Sequence, residues 1–142
     1  MEITKQIKIL IIEDEKLISK CLKQALEKMG GYNVNCVLTG LDAIKSLSDG
    51  NYDVIITDLN LPDYKEFELV KEIRDLKKDI PVIVMSAHYP DASEHNILEQ
   101  GIFRCINKPF EIEDMLIGVE AALAIRAQMP EFAGSTTISN LY

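Results

Sequence analysis

The feature that most constrains this chain is a regular alternation between two hydrophobic periods. Short runs of aliphatic and β-branched residues recur, each followed by a longer stretch whose apolar residues return every three or four positions. That alternation builds βα units, in which a strand is covered by the helix that follows it. Ile7-Lys8-Ile9-Leu10-Ile11-Ile12 is apolar almost without interruption, the pattern of a strand buried on both faces. Leu17, Ile18, Cys21, Leu22, Ala25, Leu26 and Met29 then form a helical stripe that stops at Gly30-Gly31, where a left-handed residue costs little. The stripe places Cys21 in the core as a small apolar residue.

The unit repeats four more times. Residues 33–37 form a second strand, and Thr39 caps a helix that carries Ala43, Ile44 and Leu47 and ends near Asp49-Gly50. A third strand over residues 53–57 ends on Asp58, and the turn Leu61-Pro62-Asp63-Tyr64 leads into a helix marked by Phe67, Leu69, Val70, Ile73 and Leu76. A fourth strand spans residues 81–85, and a weaker helix over residues 92–100 is closed by Gly101. Residues 103–107 give a short fifth strand, and Ile112, Met115, Leu116, Val119, Ala122 and Leu123 stripe a fifth helix. One α/β domain therefore fills residues 1–126. Residues 127–142, with Pro130, Gly134 and Ser135-Thr136-Thr137, keep no period and read as a flexible tail or a linker.

Charge narrows the partners. A formal charge of -8 makes the chain a poor match for phosphate backbones or anionic membranes, so neither nucleic acid nor a membrane is expected as a direct partner. No apolar run reaches the roughly 18 residues of a membrane span, and Met1-Glu2-Ile3-Thr4-Lys5 has no signal-peptide pattern, which points to the cytoplasm. Cys21, Cys36 and Cys105 show no C-x-x-C or zinc-ligand spacing, so neither a disulfide framework nor a thiolate metal site is expected.

Right-handed crossovers make the five strands parallel and bring their C-terminal ends to one rim, where open α/β sheets place their ligands. The polar residues collect there. Strand one ends in Glu13-Asp14-Glu15, strand three in Asp58, strand four in Ser86-Ala87 and strand five in Lys108-Pro109. Carboxylates from Glu13, Asp14 and Asp58 repel one another, and a hard divalent cation with oxygen ligands, Mg²⁺, relieves that repulsion. A carboxylate oxygen of Asp58 is then placed to attack a phosphoryl group in line, with Mg²⁺, Lys108 and the Ser86 hydroxyl sharing its charge.

Four segments carry a family resemblance: Ile9-Leu10-Ile11-Ile12-Glu13-Asp14-Glu15, Tyr52-Asp53-Val54-Ile55-Ile56-Thr57-Asp58-Leu59-Asn60-Leu61-Pro62, Val82-Ile83-Val84-Met85-Ser86-Ala87 and Ile106-Asn107-Lys108-Pro109-Phe110. In order and spacing they resemble the signature segments of response-regulator receiver domains of two-component phosphorelays, of the single-domain, chemotaxis-regulator kind. The resemblance implies a flavodoxin-like (βα)₅ fold, a doubly wound parallel sheet of order 2-1-3-4-5. It makes Asp58 the phosphoacceptor and Asp14 and Asp58 direct Mg²⁺ ligands, with Glu13 assisting and Asn60 giving its backbone carbonyl. Ser86 and Lys108 then respond to the phosphoryl group, and the Lys108-Pro109 peptide is often cis. The implied partners are a sensor histidine kinase or histidine phosphotransfer protein and a downstream protein. The face of the fourth helix, fifth strand and fifth helix would bind that protein or form a homodimer, because Ile117, Ala121, Ala124 and Ile125 extend apolar surface there.

The sequence departs from the family in three places. Cys105 stands where an aromatic switch residue is usual, and Phe103, two positions earlier, is expected on the same strand face. Lys65-Glu66 replaces a common Asp-Gly pair, which puts an acid at the start of the third helix. His88, like Asn60, occupies a place that influences acyl-phosphate hydrolysis. Two other functions remain open, a phosphorylation-independent adaptor and a haloacid-dehalogenase-like phosphatase. The adaptor reading suffers because no acid or lysine is missing. The phosphatase reading suffers because such enzymes carry D-x-D on the first strand, and Asn60 cannot serve as a general acid. The chain is expected to be a signalling phosphoacceptor and not a turnover enzyme on small substrates.

Overall fold

In a computed structural model, which describes residues 6–87 and 101–128, all five apolar runs form strands. They are β1 (Lys8–Ile12), β2 (Asn33–Val37), β3 (Val54–Asp58), β4 (Val82–Ser86) and β5 (Arg104–Asn107). The described helices are α1 (Lys16–Gly30), α2 (Gly40–Asp49), α3 (Glu68–Leu76) and α4 (Ile112–Ala127), the last being the fifth helix expected from the sequence. The helix expected over residues 92–100 and most of the expected tail lie outside the described residues.

The strands pair in parallel in the order β2-β1-β3-β4-β5, the doubly wound arrangement expected. Their two-residue side-chain period divides the core in two. Ile9, Ile11, Ile56, Ile83 and Met85 pack with Leu22 and Leu26 of α1 and Met115, Val119 and Ala122 of α4. Leu10, Ile12, Ile55, Val82 and Val84 pack on the opposite face with Leu47 of α2 and Leu69, Val70 and Ile73 of α3. Every residue of β3 and β4 is buried, which is why these strands read as continuous apolar runs. At the edge, β2 exposes Asn33 and Asn35.

Helix ends follow local chemistry. Thr39 Oγ1 accepts from the Asp42 N–H at 3.1 Å, and α1 stops where Gly31 turns left-handed at φ +70°. The core stripe read for α1 is too wide. Its buried row is Ser19, Leu22 and Leu26, while Cys21 is exposed and Leu17 and Met29 stand 74% and 66% exposed. A helix lying on a sheet buries one strip, and Leu17 and Cys21 fall to its side, where they line an apolar groove with Pro109 and Phe110.

The β3–α3 connection also differs from expectation. Helix α3 begins at Glu68, so Glu66 is not its first residue, and Glu66 holds the left-handed region at φ +41° without being glycine. An L-residue pays about 1–2 kcal/mol for that conformation, and glycine returns about 0.5–1 kcal/mol of it as unfolded-chain entropy. Glu66→Gly is therefore expected to stabilise the fold by about 0.5–1 kcal/mol. Urea unfolding checks this, and an unchanged or lower midpoint would show the Glu66 backbone to be unstrained.

Candidate functional site

Parallel pairing sets the site because it brings consecutive strand ends level. The ladder continues past the strands: the Glu13 N–H donates to the Val37 carbonyl, Leu59 to Met85 and Lys108 to Ser86, at 3.1, 3.1 and 2.7 Å. Glu13 is thereby held at the end of β1 with no exposed surface, and Asp58 at the end of β3 is 5% exposed. Lys108, just beyond β5, reaches back across the rim. Its Nζ donates to Glu13 Oε1 at 2.8 Å and to Asp58 Oδ2 at 2.7 Å.

The other two oxygens are held by backbone. The Glu15 N–H donates to Glu13 Oε2 at 3.0 Å, and the Asn60 N–H donates to Asp58 Oδ1 at 2.9 Å. Four hydrogen bonds from three donor groups thus fix two buried carboxylates, as buried charge requires. Asp14 completes the cluster from an exposed position, and one oxygen from each of Glu13, Asp14 and Asp58 lies within 4.8 Å of the others. Oxygen donors at that spacing suit a hard divalent cation such as Mg²⁺.

The electrostatics follow from this packing. Burial raises the Glu13 carboxyl above its ordinary value, the hydrogen bonds from Lys108 and Glu15 oppose the rise, and the Asp58 charge adds to it. For Lys108, burial alone would lower the ammonium, but hydrogen bonds to Asp58 and Glu13 and their charges outweigh it and the net direction is upward. Lys108 is charged at neutral pH and belongs to both acids at once.

The remaining expected residues divide. Ser86 ends β4 on the same rim, buried, in register with Asn107. Asn60 lies two residues beyond Asp58 and is exposed. The Lys108-Pro109 peptide is cis. His88 lies outside the described residues. Cys105 pairs with Val84 and packs, half-buried, against the core shared with α2 and α3. Phe103 does not share its face: it sits in a bend before β5 and packs on the α1–α4 side, so the period-two expectation fails where the strand has not yet begun. The sequence reading missed the direct Lys108–Glu13 pair and the two backbone donors. A spacing pattern identifies side chains but not which of two acids an ammonium reaches.

Comparison with known proteins agrees with this geometry. The profile of the response regulator receiver domain family matches residues 9–120. The transcriptional regulatory protein ResD of Bacillus subtilis (strain 168) is 31% identical over 99% of this chain and 58% of its own length. The DNA-binding transcriptional regulator NtrC of Bradyrhizobium sp. (strain RP501 Parasponia) is 33% identical over 82% of this chain and 24% of its own length. Among solved structures, the chemotaxis response regulator CheY4 of Vibrio cholerae superposes with a TM-score of 0.77 at 26% identity, over 84% of this chain and all of that one. A receiver domain protein of Methanospirillum hungatei JF-1 matches the fold at a TM-score of 0.81 and 22% identity, over 87% of this chain and 98% of its own. The chain belongs to the response regulator receiver domains of two-component signalling. It spans a little over half the length of ResD and about a quarter of NtrC. No helix among the described residues is long and apolar enough to cross a membrane.

Two outcomes follow. Lys108→Met leaves two buried carboxylates facing each other, so without metal it is expected to lose about 1–3 kcal/mol, and added Mg²⁺ should recover more stability in the variant than it adds to the native chain. Urea titrations with and without Mg²⁺ measure this, and equal metal-free midpoints would mean the ammonium contributes nothing. Burial pushes the Cys105 thiol up to about 11, so at pH 8 only roughly a thousandth of it is thiolate. Iodoacetamide should therefore alkylate exposed Cys21 long before Cys105, as peptide mass spectrometry would show, and equal rates would contradict the burial of Cys105.

Proposed function

We propose that Asp58 accepts a phosphoryl group from a phosphohistidine on a kinase or histidine phosphotransfer protein, and that the chain signals through the partners its phosphorylated form binds. The observation that carries this reading is Asp58 itself, a buried carboxylate on the ligand-binding rim, 2.7 Å from an ammonium and next to two further acids. Asp14 and Asp58 would hold Mg²⁺, with Glu13 assisting and the Asn60 backbone carbonyl as a further ligand. The bound ion supplies charge neutralisation for the transferring phosphoryl group and its developing negative oxygens.

The chain's own residues do the rest. The Asn60 N–H holds Asp58 Oδ1, which leaves Oδ2, the oxygen now bonded to Lys108, as the attacking atom. As the new O–P bond forms and the N–P bond to the donor imidazole breaks, Lys108 Nζ moves its hydrogen bond from Oδ2 to a phosphoryl oxygen and keeps its bond to Glu13. The Ser86 hydroxyl turns to a second phosphoryl oxygen. Asn60 and His88 modulate the lifetime of the acyl phosphate.

Output is a population shift in which phosphorylation favours one arrangement of β5 and α4. Ile117 and Ile125, 58% and 46% exposed on α4, offer apolar surface to a downstream protein or a second copy of the chain. Acetyl phosphate with Mg²⁺ tests the chemistry: the native chain should gain one phosphoryl group by intact-mass measurement, and Asp58→Asn or chelation of Mg²⁺ should abolish the gain. Labelling that survives Asp58→Asn would sink the assignment, and release of phosphate from many small esters would favour a phosphatase instead.

A further inference from the structure

The segment that leaves Asp58 for α3 is fastened to α2 by a contact that no local pattern in the sequence announces. Leu59 and Leu61 are buried in the core on either side of Asn60, and after Pro62 the chain turns outward. There the Asp63 carboxylate grips the start of α2 with both oxygens. Oδ1 accepts from the Gly40 N–H and Oδ2 from the Leu41 N–H, each at 2.9 Å. Thr39 Oγ1 takes the next amide, that of Asp42. The open N–H groups of α2 are thus met by two stretches of chain 23 or so positions apart, one of which carries the site.

Tyr64 closes the same junction. Its ring lies where a side chain on Gly40 would be, since a Cβ there would overlap Tyr64 Cδ1. Its hydroxyl donates to Glu72 Oε2 on α3 at 2.6 Å. A side chain at position 40 would displace the ring, and the ring ties α2 to α3 across the loop.

We propose that Asp63 is a positioning residue for the metal site: with Tyr64 seated on Gly40, its two bonds to α2 hold the Leu59–Leu61 backbone so that the Asn60 carbonyl faces the cation. The proposal rests on the phosphoacceptor reading, in which that carbonyl is a ligand. A backbone ligand has no rotamer of its own to adjust, so its aim is set by what restrains the loop on either side. On the Asp58 side that restraint is the Asn60 N–H bond to Asp58 Oδ1. On the other it is the buried Leu61 and, beyond it, Asp63. One bond is part-buried and the other exposed, and together they are worth a small part of the folding free energy, so their loss should be felt mainly in the loop.

The test is a Mg²⁺ titration of the native chain and of Asp63→Ala, Asp63→Asn and Gly40→Ala, read by calorimetry with magnesium chloride and by the Mg²⁺ concentration that half-saturates acetyl phosphate labelling. Asp63→Ala and Gly40→Ala should each weaken Mg²⁺ binding about tenfold, as loss of a ligand's support commonly does, with labelling at saturating Mg²⁺ close to native. Asp63→Asn, which keeps one acceptor oxygen, should fall between. A folded Asp63→Ala or Asp63→Asn whose Mg²⁺ affinity stays within twofold of native overturns the proposal while leaving the phosphoacceptor reading intact. A native chain that binds no Mg²⁺ and takes no label overturns both. Lowered thermal stability with native Mg²⁺ affinity would assign Asp63 to helix capping alone and likewise overturns it.

Discussion

The site depends on one electrostatic constraint, the confinement of three carboxylates at a rim where two of them have almost no water. Glu13, Asp14 and Asp58 set against Lys108 leave two negative charges in excess. Nothing in a low-dielectric rim tolerates that without compensation. The fold compensates locally: the ammonium is shared between Glu13 and Asp58, and backbone N–H groups of Glu15 and Asn60 take their remaining oxygens. These donors exist because the chain turns immediately after β1 and β3. The same turns that end the strands therefore stabilise the charge the strands deliver.

A parallel, doubly wound sheet is what makes such a cluster affordable to build from distant sequence. Glu13 and Lys108 are 95 positions apart, and Asp58 and Lys108 are 50 apart, yet each lies one residue beyond or at the end of its strand. Register fixes the strands, with Ile12 level with Thr57, Asp58 with Met85, and Ser86 with Asn107. Two cores, one on each face, hold that register, because a slip of one residue would exchange the face of every side chain in the strand. Packing far from the rim thus sets the distances at it.

This explains what could be read in the sequence. Strands buried on both faces announce themselves as apolar runs, and in four of the five the run ends on or just before a polar residue, so Glu13, Asp58, Ser86 and Lys108 could be placed from the pattern. Helix faces were less legible. Leu17, Cys21 and Met29 satisfy the helical period as well as Leu22 and Leu26 do, but only the latter two meet the sheet, and periodicity does not measure the width of a contact. Phe103 failed for the opposite reason, since period two applies only within a strand and β5 begins one residue later. Asp63 was legible only as a turn residue, because its partners belong to a helix that precedes it in the chain.

Cys105 bears on how the state of Asp58 would leave the site. A cysteine is too small to sweep a large volume, and here it is half-buried against the core shared with α2 and α3, on the face opposite to α4. Under the proposed chemistry, a bulky side chain at this position is therefore not the carrier of the signal. The backbone of β5 is the better carrier. Lys108 donates through its side chain to Asp58 and through its N–H to the Ser86 carbonyl, so a shift of either group acts on the end of this edge strand. The strand in turn meets α4 through Ile106, which packs in the core with Met115, Val119 and Ala122. Close packing of that kind passes a displacement on and does not absorb it. Under the proposed chemistry, the path from acceptor to outer helix would run through Lys108 and β5 to the core shared with α4.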